Sequence, residues 1–214
     1  MALFRDRVAA GRVLGERLRG EQLSDPVVLG LPRGGVIVAA EVAAALDAPL
    51  DIVVARKLGV PWQPELAFGA VAPGVVVLQR DVLDGARLQP DDIDSAVARE
   101  TALLTPLAAR YRSGRAATPL RGRTAVIVDD GLATGATATA AVRSVRQLGP
   151  RRVVVAVPVG ATQTVTALGR EADQVICLEA TRDFHAVGMY YEDFAPTADL
   201  DVIERLAARR PERA

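Results

Sequence analysis

Val126-Ile127-Val128-Asp129-Asp130-Gly131-Leu132-Ala133-Thr134-Gly135-Ala136-Thr137 is the stretch from which the rest of the chain can be ordered. The β-branched run at its start reads as a buried strand. Two carboxylates stand together at the strand's C-terminal end, the edge where open α/β sheets bind ligands. A loop of small and hydroxyl-bearing residues follows and runs straight into a helix expected over Thr137–Leu148. Unpaired amides at a helix start, together with the helix dipole, favour a phosphate. Thr134 and Thr137 can add hydroxyl donors, and Gly135 lets the backbone approach closely. The acids repel phosphate and suit neutral hydroxyls or a hard cation such as Mg²⁺. A ligand with a phosphate at one end and a diol beside it, a phosphorylated sugar, fits both halves. There is no Gly-Lys-Ser/Thr of a Walker loop and no Gly-x-Gly-x-x-Gly fingerprint. The alternative is an ordinary strand-to-helix turn whose acids cap the helix.

Outward from this segment the chain alternates strand and helix. Val27–Leu31 reads as a strand and Val36–Leu46 as an alanine-rich helix, with Pro32-Arg33-Gly34-Gly35 turning between them; Ile52–Ala55 is the next strand. That order is a βαβ unit and implies a parallel sheet. Downstream, Arg152–Val157 and Gln174–Leu178 read as strands around a helix at Thr162–Glu171. Upstream, a first helix is expected from about Leu3 to Leu18. Between the two halves Gly59–Pro64 reads as a loop, and Ala67–Val71 and Val75–Leu78 as a hairpin around Ala72-Pro73-Gly74. Pro90-Asp91-Asp92 opens a long helix that can kink at Pro106 and ends before Ser113-Gly114. Thr197 is placed to N-cap a terminal helix reaching about Ala208. The expected fold is α/β: a mostly parallel sheet with helices on both faces, an inserted β-hairpin and a C-terminal hood. One domain spans 1–214, with the hairpin and helix insertion at 60–115 and the hood at 180–196.

Arginine plus lysine and aspartate plus glutamate are equal at 26 each, without a block of one sign. Zero net charge gives no long-range pull toward a phosphate backbone, so a nucleic-acid partner is not expected. The chain opens without a signal-peptide core and has no apolar run of membrane-spanning length, so a cytoplasmic protein without a membrane partner is expected. Cys177 sits in an apolar run and reads as a buried, inert thiol.

The segment Val126–Thr137 resembles the 5-phosphoribosyl-1-pyrophosphate (PRPP) motif of type I phosphoribosyltransferases, and the order of elements resembles that family across nearly the whole chain. The resemblance implies that Asp129 and Asp130 hold the ribose hydroxyls, with Mg²⁺ directly or through water, and that Ala133, Thr134, Gly135, Ala136 and Thr137 hold the 5-phosphate. Leu31–Gly35 resembles the family's pyrophosphate loop, which often holds a cis non-proline peptide. Gly34 and Gly35 would form an anion nest there and Arg33 a fork for phosphate oxygens. The implied activity is transfer of ribose 5-phosphate from PRPP to a nitrogenous acceptor with release of pyrophosphate. The implied catalytic set is Asp129, Asp130, Arg33 and Lys57, and the expected assembly a homodimer. Lys57 is the only lysine among 26 basic residues; it follows a strand at the same sheet edge, where a compact ammonium could offset pyrophosphate charge. A lysine snorkelling off a strand end explains it equally well. Glu65, in the expected mobile loop, is a further Mg²⁺ candidate, though a solvated side chain is the plainer reading.

The aromatic tail supplies Phe184, Tyr190 and Tyr191 as base-stacking candidates. His185 reads as structural, and Glu192 and Asp193 are general-base candidates by position alone. Hypoxanthine–guanine members carry an aspartate where this chain has Ala133, which leaves the acceptor open. Two other readings keep the same ligand loop: a non-catalytic PRPP sensor or regulator, and a different sugar-phosphate enzyme.

Overall fold

Valine- and isoleucine-rich runs with no polar alternation must be covered on both faces, and the computed structural model shows how. It describes residues 2–208, apart from the side chain of Glu65. Five parallel strands lie in the order β2-β1-β6-β7-β8: β2 Leu50–Ile52, β1 Pro26–Gly30, β6 Thr124–Val128, β7 Arg152–Ala161 and β8 Gln174–Thr181. The strand pleat divides the core into two layers. Val28, Val126, Val128, Val154 and Ala156 face helices α1 (Arg7–Arg19) and α2 (Gly34–Leu46). Val27, Leu29, Ala125, Ile127, Val153 and Val155 face α5 (Ala136–Arg146) and α6 (Thr162–Leu168). Successive side chains alternate faces, so each strand serves both layers.

α1 lies along α2. A Cβ on Gly11 would stand 2.8 Å from the Val38 carbonyl oxygen, and one on Gly15 would stand 2.6 Å from the Ala45 methyl. The Gly11/Gly15 pair therefore sets the close approach of the two helices. α1 starts later than expected, at Arg7, because the Asp6 carboxylate accepts the Ala9 amide (2.7 Å) and caps it.

The middle of the chain departs most from the expectation. Gly59–Pro64 is not a loop: β3 (Arg56–Val60) and β4 (Gln63–Ala72) pair antiparallel across a tight turn at Pro61-Trp62, and β5 (Val75–Leu78) completes a separate three-stranded sheet. Two prolines and a glycine hid the strands, yet Leu58, Val60 and Phe68 are fully buried. A short helix α3 (Arg80–Ala86), not anticipated, precedes α4 (Pro90–Arg112), which runs unbroken through Pro106. The turn at Pro73-Gly74 is pinned to α5 by Ser144 Oγ on the Pro73 carbonyl (2.8 Å).

The ends of other elements also shift. β7 continues past Val157 because its pairing with β8 resumes at Val159 beyond Pro158, where β6 has already ended. α6 stops at Leu168 rather than Glu171. α7 (Asp199–Ala208) begins two residues after Thr197, with the Asp201 carboxylate accepting the Ala198 amide (2.8 Å), so Thr197 is not its cap. Cys177 is half-buried rather than buried; burial pushes its thiol up to about 11, so it is inert at neutral pH. None of the helices among the described residues is long and apolar enough to cross a membrane.

Candidate functional site

Two strand-to-helix loops meet at the C-terminal edge of the parallel sheet. The one after β6 is stitched at its root: the Leu132 amide donates to the Val159 carbonyl and the Ala161 amide to that of Leu132, both 2.9 Å. Thr164 Oγ1 donates to the Ala133 carbonyl (2.6 Å). Beyond the root, Ala133 and Thr134 are exposed, and Gly135 turns the chain at φ 76°, in the left-handed region that favours glycine. The first helical hydrogen bond runs from Thr139 to Gly135 (2.8 Å). The amides of Ala136, Thr137 and Ala138 therefore have no helical acceptor and mark an anion-accepting helix start.

The loop after β1 is built differently. Its Pro32–Arg33 peptide is cis. The acidic pair packs onto Gly34 and Gly35 on the side where a Cβ would stand. A Cβ on Gly35 would stand 2.8 Å from the Asp129 Cα, and one on Gly34 would overlap the Asp130 carboxylate. Arg33 is turned toward α7. Its half-exposed guanidinium lies 3.8 Å from Asp199 on α7, whose carboxylate also takes Tyr111 Oη (2.8 Å) and Arg110 (2.8 Å). Burial, then the Asp199 hydrogen bond, push the Tyr111 phenol up to about 12. Arg33 and Tyr111 line a cavity of about 510 Å³ that adjoins the site through Pro32, Ala55 and Arg56.

The cavity at the junction, about 300 Å³, is lined by Leu31, Pro32, Ala55, Arg56, Lys57, Asp129 and Thr137. It brings the lysine at position 57 together with the first acid and the helix-start threonine, at 129 and 137, from far along the chain. Lys57 is exposed on β3, opposite Ala70. Arg56, also in the lining, donates to the buried Glu100 (2.6 Å). Burial, then the neighbouring charge of Asp130, raise the Asp129 carboxyl well above the usual range; the Asp130 amide (2.9 Å) and the Lys57 charge pull the other way.

The two acids thus have separate surroundings. Asp130 does not line the cavity. Its carboxylate accepts Arg7 Nε (2.8 Å), with both side chains largely buried, and its carbonyl accepts Tyr191 Oη (2.6 Å). The same arginine lies 3.8 Å above the Phe194 ring and donates to the Ala195 carbonyl (2.9 Å). Reading residue types along the chain missed Arg7, because 123 positions separate it from its partner and one arginine among several near the N-terminus carries no local signal.

The hood is laced to the N-terminal segment: the amides of Leu3 and Phe4 reach the Tyr190 carbonyl, and those of Glu192 and Asp193 reach the carbonyls of Phe4 and Arg5. Tyr191 is buried between Phe4 and Phe194 and cannot present a face to a base. Phe184 and Tyr190, both half-buried, stack on each other at 5.4 Å. His185 is exposed. Asp193 accepts the Ala195 amide (3.0 Å) within its own turn, and Glu192 is exposed. The Glu65 side chain lies outside the described residues. No three acidic, histidine or cysteine side chains cluster to form a metal site among the described residues. With Asp130 Oδ2 taken by Arg7, Asp129 is the carboxylate that lines the cavity, and a site with so few protein ligands could hold only an ion that keeps most of its water.

A model of the phosphoribosyl transferase domain family matches residues 7–193. Two proteins of Mycobacterium tuberculosis, from strains CDC 1551 / Oshkosh and H37Rv, both carrying the name "Putative phosphoribosyl transferase", are 50% identical over 204 residues; the match covers 95% of this chain and 46% of theirs. The chain thus spans about half the length of these curated relatives. The crystal structure of TT1426 from Thermus thermophilus is 46% identical, with TM-score 0.80, covering 99% of this chain and 100% of that one. The AQ2163 protein of Aquifex aeolicus shares the fold at 13% identity, with TM-score 0.51 over 94% of this chain and 83% of that one.

Proposed function

Because the chain belongs to the phosphoribosyl transferase domain family, we propose that it transfers ribose 5-phosphate from PRPP to a nitrogen nucleophile. The anomeric C–O bond to pyrophosphate breaks, the C–N bond forms, and the acceptor nitrogen loses a proton. The cavity joining Lys57, Asp129 and Thr137 carries this reading. The free amides at the start of α5 would anchor the 5-phosphate, with the Thr134 and Thr137 hydroxyls beside them. Asp129 would accept a ribose hydroxyl and hold Mg²⁺ through water. That ion, when bound, would neutralise pyrophosphate charge. Lys57 would stabilise the charge growing on the leaving group, where an ammonium gains more in the transition state than in the ground state. Arg33 would reach the pyrophosphate only after leaving Asp199, so its role in leaving-group binding needs a side-chain rotation.

Of the three aromatic candidates for acceptor stacking, Phe184 and Tyr190 stay in play and Tyr191 does not. The acceptor class stays open, with Ala133 where 6-oxopurine members have their aspartate. The test is incubation with PRPP, Mg²⁺ and a panel of bases, following pyrophosphate and new nucleotide mass. Acceptor-dependent pyrophosphate release is the expected result; PRPP binding without turnover on any base would make the chain a binding protein instead.

A further inference from the structure

Asp130 belongs to the acidic pair, yet its contacts run to the hood. Gly11 and Gly15 hold α1 against α2 so that Arg7, the first residue of α1, lies over Gly34, the first of α2. From there its guanidinium meets three groups at once: the Asp130 carboxylate (2.8 Å), the Ala195 carbonyl (2.9 Å) and the Phe194 ring (3.8 Å). Tyr191 Oη adds a fourth link, from the hood to the Asp130 carbonyl (2.6 Å). Val187 closes the same side, since a Cβ on Gly131 would stand 2.6 Å from its methyl. A planar fork suits this work, because it can pair with a carboxylate and stack on a ring together.

We infer that Arg7 is a positioning residue that couples the C-terminal hood to the acidic pair, so that hood order and ribose 5-phosphate binding reinforce each other. The inference rests on the proposed ribose site. Asp130 adjoins Asp129, and the Asp130 amide is itself the donor to Asp129 Oδ1 (2.9 Å). Any shift of Asp130 therefore moves the hydrogen bond that orients the cavity-facing acid. Ligand at Asp129 stabilises one placement of Asp130, and that placement is the one Arg7 and Tyr191 hold for the hood.

The experiment compares the full chain with Arg7→Met, Arg7→Lys and Phe194→Leu. It measures ribose 5-phosphate affinity by calorimetry, and hydrogen exchange of the hood amides with and without the ligand. In the parent, saturating ligand slows exchange at Tyr191–Ala195. Arg7→Met weakens the ligand by about tenfold, within the usual range for coupled sites, and abolishes the ligand's effect on hood exchange. Arg7→Lys, which keeps charge without the fork, falls between. Phe194→Leu is the sharper probe, since it touches neither acid; it weakens the ligand by about fivefold, at the low end for coupled sites, through its two neighbours Arg7 and Tyr191. Faster hood exchange in Arg7→Met and Phe194→Leu with unchanged ligand affinity would overturn the coupling and leave Arg7 a structural clasp. A parent that binds neither ribose 5-phosphate nor PRPP overturns the proposed function, and the coupling with it.

Discussion

The loop after β1 and the loop after β6 share one pattern: a parallel strand, a turn with glycines, and a helix start at the same sheet edge. Their glycines exist for opposite reasons. Gly34 and Gly35 are covered by Asp130 and Asp129, and a side chain on either would displace an acid. Gly135 lies at φ 76°, and beside it the chain stays open to solvent at Thr134. The first loop is a floor on which the acids rest. The second is a cradle with unclaimed amides. A glycine between strand and helix therefore announces close approach, without saying whether a ligand or the protein itself approaches.

What the loops share is the cavity between them, and the largest expected effect probes it. Lys57→Ala should lower the single-turnover rate by about 10²–10³ while PRPP affinity changes far less. Parent-level turnover would leave the leaving group to Mg²⁺ and the loop amides. Next comes the cradle. Gly135→Val forces a β-branched residue into the left-handed region, a strain of about 1–3 kcal/mol, with its Cβ 2.5 Å from the Thr164 methyl. Ribose 5-phosphate binding by calorimetry should be lost. A crystal soak still showing phosphate at the start of α5 would move the cradle elsewhere.

The floor should respond in stability first. Gly35→Ala meets backbone rather than a flexible side chain, and overpacking of this kind costs about 1–3 kcal/mol. For a chain of this size that lowers Tm by roughly 2–4 °C per kcal/mol, read by calorimetric melting of the ligand-free protein. An unshifted Tm would mean that the acids can retreat from the loop.

The smallest effect separates the two acids. Asp129 holds its proton to higher pH when folded than when unfolded, so the folded state binds more protons in that interval. Stability of the ligand-free protein should then fall as pH rises from about 3.9 through the raised Asp129 value. Asp129→Asn should remove that slope, raise neutral-pH stability, and weaken ribose 5-phosphate. Asp130→Asn should instead lower stability, because Arg7 loses its partner. Equal behaviour of the two variants would erase the distinction between them.

Much of this was legible in the chain. Val27–Leu31 and Thr124–Val128 announce themselves by unbroken apolar runs, and Asp129 to Thr137 by chemistry compressed into nine positions. The strand at Arg56–Val60 and the first half of Gln63–Ala72 were not legible, although Ala67–Val71 was read as one arm of the hairpin with Val75–Leu78. Their prolines and glycine mimic a loop, and their apolar side chains became meaningful only against α4. The placing of Lys57 was half visible, since its uniqueness drew notice while Asp129, across the cavity lining, lay 72 positions away.

By itself, then, the sequence determined the parallel α/β order, the glycine-led helix start with open amides and the presence of two adjacent acids. Those features are local: they depend on periodicity, backbone amides and residues within one turn of each other. Only the tertiary structure decided which acid faces the cavity, that Arg33 leans on Asp199, and that Tyr191 is a wall rather than a platform. Each of those outcomes depends on a partner brought from far along the chain. Neighbouring carboxylates identical in sequence become different in chemistry when one lines a cavity beside a lysine and the other is clasped by Arg7.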